Sequence, residues 1–267
     1  MKKNIAVAIS LGALTLALSL VLHVGGLGVL PPRALRNLAQ TVVLNTYNPW
    51  NETLTSYSLN AVTAVIWDYR GIDTIFETAV LFAAVTGVAA LFQGAVEKVE
   101  LRRRGMPFML KTSTKIALLL IALVSISLAF HGHLTPGGGF QAGSVFAVIT
   151  ALGITVFSIE ALYSAGLRIK NLMRVRLMAL ALILSIALLP LTTLLAINGI
   201  AYIAQNQVKE DSSFAMPAAF FNTPLAGSVF FFNVIEFIAV AAALSYILVF
   251  FAMRREELEH VLRGCRK

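Results

Sequence analysis

A chain of 267 residues that is 58% hydrophobic and only 13% charged, with a mean hydropathy of +0.82, lacks the polar surface of a soluble fold and is expected to be an integral membrane protein. Its net charge of +8 is not a nucleic-acid footprint, because the basic residues gather between apolar runs as in cytoplasmic loops. A single cysteine, Cys265, supplies neither a disulfide framework nor a cysteine metal site.

The first apolar run covers residues 5–30 behind Lys2 and Lys3. It outlasts the apolar region of a signal peptide and no A-x-A site follows it, so a retained transmembrane helix is expected, ended by Pro31-Pro32. Residues 33–58 are mixed, with a turn at Asn48-Pro49-Trp50-Asn51. Leu59, Val62, Ile66 and Tyr69 then recur at helical spacing in a piece too short to span, read as one short interfacial helix. A second span is expected over residues 73–93, with Glu77 inside its outer end. The charged stretch 97–107 is read as a linker between two modules, residues 1–96 and 108–267. Four more spans are expected at 112–130, 140–163, 173–198 and 226–253; Pro190 should kink the fifth, with Thr192 and Thr193 satisfying freed backbone groups. The fold class is thus all-α, a polytopic membrane protein with six transmembrane helices, two plus four.

With both termini in the cytoplasm, every basic residue except Arg33, Arg36, Arg70 and Lys209 falls on the inner side, as the positive-inside rule requires. This places the chain in the cell membrane as a multi-pass protein.

Between the third and fourth spans lies a glycine-rich turn, Gly132-His133-Leu134-Thr135-Pro136-Gly137-Gly138-Gly139-Phe140-Gln141. Proline donates no backbone hydrogen bond and the glycines admit positive φ and close backbone approach, so a helix cannot run through it. The string closely resembles the GHLTPGGGFQ signature of the B-subunit family of multisubunit Na+/H+ antiporters, the Mrp or Mnh type. Four spans and a Thr223-Pro224-Leu225 segment before the last one fit the same family. The string Asp68-Tyr69-Arg70-Gly71-Ile72-Asp73-Thr74-Ile75-Phe76-Glu77 is similar to the D-x-R-G-x-D-T-x-x-E pattern that closes the large A subunit of those antiporters. That pattern recurs in a small E-type subunit of archaeal membrane-bound hydrogenases and sulfane reductases, complexes related to respiratory complex I. One departure is Ala142, where many relatives carry glycine. The resemblance implies a non-catalytic membrane subunit of a Na+/H+ antiporter module that helps form the cation path beside large proton-carrying subunits. Its implied partners are large antiporter-like and small membrane subunits, a peripheral hydrogenase or sulfane reductase arm, Na+ and H+, and the lipid bilayer, but no nucleic acid. A purely structural adaptor that seats its neighbours is the rival reading.

Intramembrane acids normally face a cavity, a bundle interior or a cationic partner. Asp73 and Glu77 are four apart and share a helical face, with Asp68 and Arg70 just upstream; Glu77 is either a cation- or proton-handling group or an outer-end anchor paired with Arg70 or with a neighbouring subunit. Glu236 is expected roughly 15 Å deep in the last span, with Asn233 one turn earlier on the same face. It is read as an ion-handling group or as a helix-to-helix hydrogen-bonding residue. Glu160 is read as an interfacial ion pair near Arg168 and Lys170. His131 and His133 find no third ligand, so no metal is expected; a proton-responsive pair or simple turn packing remains. In the turn, His133, Thr135, Pro136, Gly137, Gly138, Gly139 and Gln141 are signature positions, placed either to face an ion or to pack closely. No phosphate loop, haem or Fe–S spacing, or nucleophile–base constellation occurs, so no cofactor and no independent enzymatic activity are expected.

Overall fold

Helices that are apolar on every face have no soluble solution, and the structure, a computed structural model describing residues 2–24, 34–92, 106–197, 199–212 and 214–252, is built from them. The chain divides into two compact units, residues 1–41 and 42–267. The first holds α1 (Lys2–His23), apolar over Val7–His23; the rest of the expected first span, residues 25–30, lies outside the described residues.

In the second unit five helices are long and apolar enough to cross a membrane: α4 (Gly71–Phe92), α5 (Phe108–His131), α6 (Gly139–Val156), α8 (Ile169–Leu188) and α10 (Ser228–Ala252). The protein is an all-α, multi-pass membrane protein. Nearly all of the basic linker, residues 97–105, lies outside the described residues. Post-like at the centre stands α10, packed against α4, α5, α6 and α8, with Val229, Phe232, Val240 and Val249 fully buried. α6 meets it through Gly139 and Gly143, where a Cβ would run into α10, small residues four apart that let two membrane helices approach closely.

Three local features depart from the sequence expectations, and a fourth meets them. A ten-residue helix, α2 (Asn37–Thr46), occupies part of the stretch read as mixed. The short interfacial piece is α3 (Ala61–Ala64), which widens into a π-helical turn, Val65–Tyr69, and leads into α4; Thr74 Oγ1 donates to the Ile66 carbonyl. The fourth span ends at Val156, where Phe157 and Ser158 break it before α7 (Ile159–Ser164); Ser158 takes φ 113°, a conformation that ends a helix. The fifth continues from α8 through a 3-10 turn at Leu189–Leu191 into α9 (Thr192–Ile197). Here the expectation holds: Thr192 Oγ1 and Thr193 Oγ1 each donate at 2.7 Å to the Leu189 and Pro190 carbonyls.

At one end of the bundle, called the turn end below, three segments form a cap: residues 47–60, the glycine turn, and the loop 199–227. That loop carries a hairpin, β1 (Ala219–Phe220) and β2 (Thr223–Pro224), turned by Phe221 and Asn222 at positive φ, as a two-residue hairpin requires. Asn206 binds the cap together: its Nδ2 donates to the Ser56 carbonyl, and its Oδ1 accepts from the Ser228 amide at 2.9 Å.

Candidate functional site

The glycine turn is held from two sides by asparagines, each using both ends of its amide. Asn60 caps α3 by accepting from the Val62 and Thr63 amides, while its Nδ2 donates to the Gly132 and Thr135 carbonyls at 2.7 and 2.9 Å. Thr63 Oγ1 adds a second bond to Gly132. From α10, Asn233 donates to the Ala129 carbonyl at 2.6 Å and accepts from the Gly139 amide at 2.7 Å. It thereby ties the end of α5 to the start of α6, satisfying backbone groups that helix ends leave open.

The signature residues take different places. His133 is buried; its Nε2 donates to the Pro224 carbonyl at 2.9 Å, its ring meets Phe230 edge-on at 5.3 Å, and its Nδ1 has no partner. Burial holds the His133 imidazole below its ordinary pKa, against a smaller upward pull from the Pro224 bond, so the ring is a neutral tie between the turn and the hairpin. Thr135 Oγ1 donates to the His131 carbonyl. Pro136 and Gln141 are exposed, and with Gly137 they line a 350 Å³ hollow beside Asn60 and Leu134. Gly137 has φ 152°, which favours glycine. A Cβ on Gly138 would meet only the movable end of Gln141, whereas Gly139 is needed for space: a Cβ there would come 2.3 Å from the Asn233 carbonyl oxygen and 2.6 Å from Glu236 Oε2.

That last contact leads to the buried acid. Glu236 lies eight residues into α10, roughly 12 Å below its first residue, and is 4% exposed. The Phe140 backbone, the Trp67 indole and the Glu77 charge act on its carboxyl electrostatically. Trp67 stacks on Phe232 at 4.9 Å, which fixes the indole there. Yet Trp67 Nε1 and Glu236 Oε2 are both buried without a hydrogen-bond partner among the described residues. Glu236 and Glu77 line one cleft of about 270 Å³ with Thr78, Leu81, Phe140 and Val240. Glu77 is exposed on the outer side of α4.

The other two acids stand apart from the cleft. Asp73 pairs with Arg70 at the exposed start of α4, so the Arg70 partner expected for Glu77 is instead engaged by Asp73. Asp68 sits on the π turn with its Oδ2 buried and unpartnered. Burial pushes its carboxyl up to about 6, against the downward pulls of Lys209 and the Asn206 amide. Among the described residues no group of three or more His, Cys, Asp or Glu side chains could hold a metal ion.

Two residues of the site carried little sequence signal. Asn60 could have been found as an N-cap before an apolar run. Arg176, 2% exposed inside α8, read as part of a basic loop; its Nη2 donates to the Phe82 carbonyl at 2.8 Å and to Thr86 Oγ1 at 3.2 Å.

Residues 109–246, more than half of the chain, match the family described as a domain related to the MnhB subunit of Na+/H+ antiporter. An uncharacterised protein of Methanocaldococcus jannaschii is 32% identical over 123 residues, covering 39% of this chain and 47% of that protein; the chain thus spans about half the length of the curated relative it matches. Among solved structures, one chain of the membrane-bound sulfane sulfur reductase, an archaeal respiratory membrane complex, superposes with a TM-score of 0.62 at 24% identity, over 94% of this chain and 99% of that one. The Mrp complex from Dietzia sp. gives 0.61 at 17% identity, over 93% of this chain and 26% of that one. These likenesses are of fold, and each covers more than nine tenths of the chain rather than the region after the linker alone. By the match over residues 109–246, this chain belongs to the family of domains related to the MnhB subunit of Na+/H+ antiporters.

Proposed function

We propose that the protein is a non-catalytic membrane subunit of a Na+/H+ antiporter module, in a stand-alone antiporter or docked to a redox arm, and that its Glu77–Glu236 cleft forms part of the cation path. The observation that carries this reading is Glu236 itself. A carboxyl in the span with an unpartnered oxygen, opening on a cleft with a second acid, is a costly arrangement that membrane proteins keep for ion handling. Oxygen-rich sites suit a hard cation or a proton. Glu77 on the outer side of α4 directs the open side of the cleft to a neighbouring subunit, since a carboxylate on lipid costs several kcal/mol. Asp68 and Asp73 belong to the turn-end approach rather than to the cleft. The chain is divided at the basic linker into an E-type module and a B-type module, with both termini in the cytoplasm.

The structural-adaptor reading is favoured by one observation, the close backbone packing of Gly139 and Gly143 on α10, which a rigid seat for neighbours also needs. Sodium uptake by the intact complex in proteoliposomes separates the two. On the proposed path Glu236→Gln lowers uptake about tenfold, equivalent to about 1.4 kcal/mol of barrier, and Glu77→Gln lowers it less; unchanged uptake in both variants, with every subunit present, leaves only the adaptor.

A further inference from the structure

Among the described residues one cation is buried, and it stands beside the path just proposed. Arg176 lies seven residues into α8 and projects into the seam where α8 meets α4 and α10. Its guanidinium is stacked over the Phe82 ring at 4.3 Å and faces the Tyr246 ring at 5.1 Å. Every hydrogen-bond partner it has is neutral, and Nε and Nη1 are buried with none. No described carboxylate forms an ion pair with it. A guanidinium keeps its charge, so this is a fixed positive charge in a low-dielectric seam.

Its position relative to the cleft gives that charge a use. Tyr246 lies ten residues beyond Glu236 on α10, roughly 15 Å further from the turn end. Arg176 lines a small cavity of about 10 Å³, room for about one water. That cavity and the Glu77–Glu236 cleft share two walls, Thr78 and Leu81. An ion leaving the cleft along the seam therefore meets the guanidinium next.

We propose that Arg176 is an electrostatic plug that makes the cleft blind at its far end. Sodium enters and leaves the cleft sideways, past Glu77, and is barred from the α4–α8–α10 seam, as fixed positive charges bar cations in other pores. The proposal rests on the cation-path reading of the cleft.

The test is passive flux of radioactive sodium into proteoliposomes holding the complete complex, with no driving reaction and no proton gradient. Arg176→Met keeps the bulk and removes the charge, and is expected to raise passive flux about tenfold, the effect of deleting a unit charge some 10 Å from the ion at an interior dielectric near 20. Arg176→Lys keeps the charge and stays at the wild-type level. Leu180→Glu, in the wall of the small cavity, neutralises the plug in place and leaks as well; it decides the matter if the Arg176→Met complex does not assemble. Adding Glu236→Gln to the leaking variant returns flux to the wild-type level. Wild-type flux in both neutralised variants overturns the plug, as does a leak that survives Glu236→Gln. Either result, combined with a loss of driven uptake in Glu236→Gln alone, leaves the cation path standing; unchanged driven uptake in Glu236→Gln removes the path itself.

Discussion

Asp68 shows how a single carboxyl ties the cap to pH. Its ordinary value of 3.8 is raised to about 6, chiefly by burial, so between those values the closed cap holds a proton that an opened cap releases. Closure is favoured in full below about pH 4 and weakens as pH rises to 6. Amide exchange of the cap in the purified complex, taken relative to the intrinsic exchange rate at each pH, should therefore speed up across that interval in the wild type. Asp68→Asn removes the dependence: above pH 6 its cap exchanges more slowly than wild type, and near pH 4 the two converge. His133 acts in the opposite sense, because its lowered value makes the folded state give up a proton that the unfolded state keeps; the stability it lends is present above its ordinary 6.5 and is lost as pH falls below that. At this scale the sequence was a partial guide. Glu236 and the asparagine one turn before it were legible as submerged polar groups in an apolar run, whereas Arg176 was not, because nothing in a linear string distinguishes an arginine at a helix start from one turned inward onto Phe82 and Tyr246.

Between elements, the decisive contact is α6 on α10. A Cβ at position 143 would come 2.7 Å from Val240 Cβ and 2.9 Å from both the Ala241 nitrogen and the Phe237 carbonyl oxygen. Backbone atoms cannot swing aside as a long side chain can, so Gly143→Ala is expected to force the helices apart and cost about 1–3 kcal/mol. Thermal unfolding of the purified complex should register it as a lowered midpoint, while Gly87→Ala on α4, where a Cβ meets nothing within 4 Å, should leave the midpoint unchanged. The long spans were legible because twenty or so apolar residues in a row have one solution in a bilayer. The π turn, the break at Ser158 and α2 were not, because each is fixed by side-chain hydrogen bonds rather than by the hydrophobic pattern. Thr74 takes up a carbonyl of the π turn, the Ser158 hydroxyl receives the Ala161 amide, and the Ser56 hydroxyl donates to the last carbonyl of α2. The glycine turn was visible as a helix stop, but that its glycines make room for Asn233 and Glu236 could not be read without α10 in place.

Across the whole molecule, the turn end and the far end should lie on opposite faces of the membrane, the turn end outside. Cysteine placed at Lys209, in the cap, should react with an impermeant maleimide in intact cells, and cysteine at Ser164, in the exposed end of α7, only after permeabilisation; the reverse pattern inverts the topology. The bundle is also uneven in length. α10 has 25 residues and reaches roughly 37 Å, while α6, stopped at Val156 after 18 residues, reaches roughly 27 Å. Lipid beside the shorter rod must thin or tilt to match it, which draws the water boundary inward on that flank. The bilayer next to α6 is therefore expected to be dimpled, a shallow funnel of headgroups that shortens the dry distance any ion has to travel.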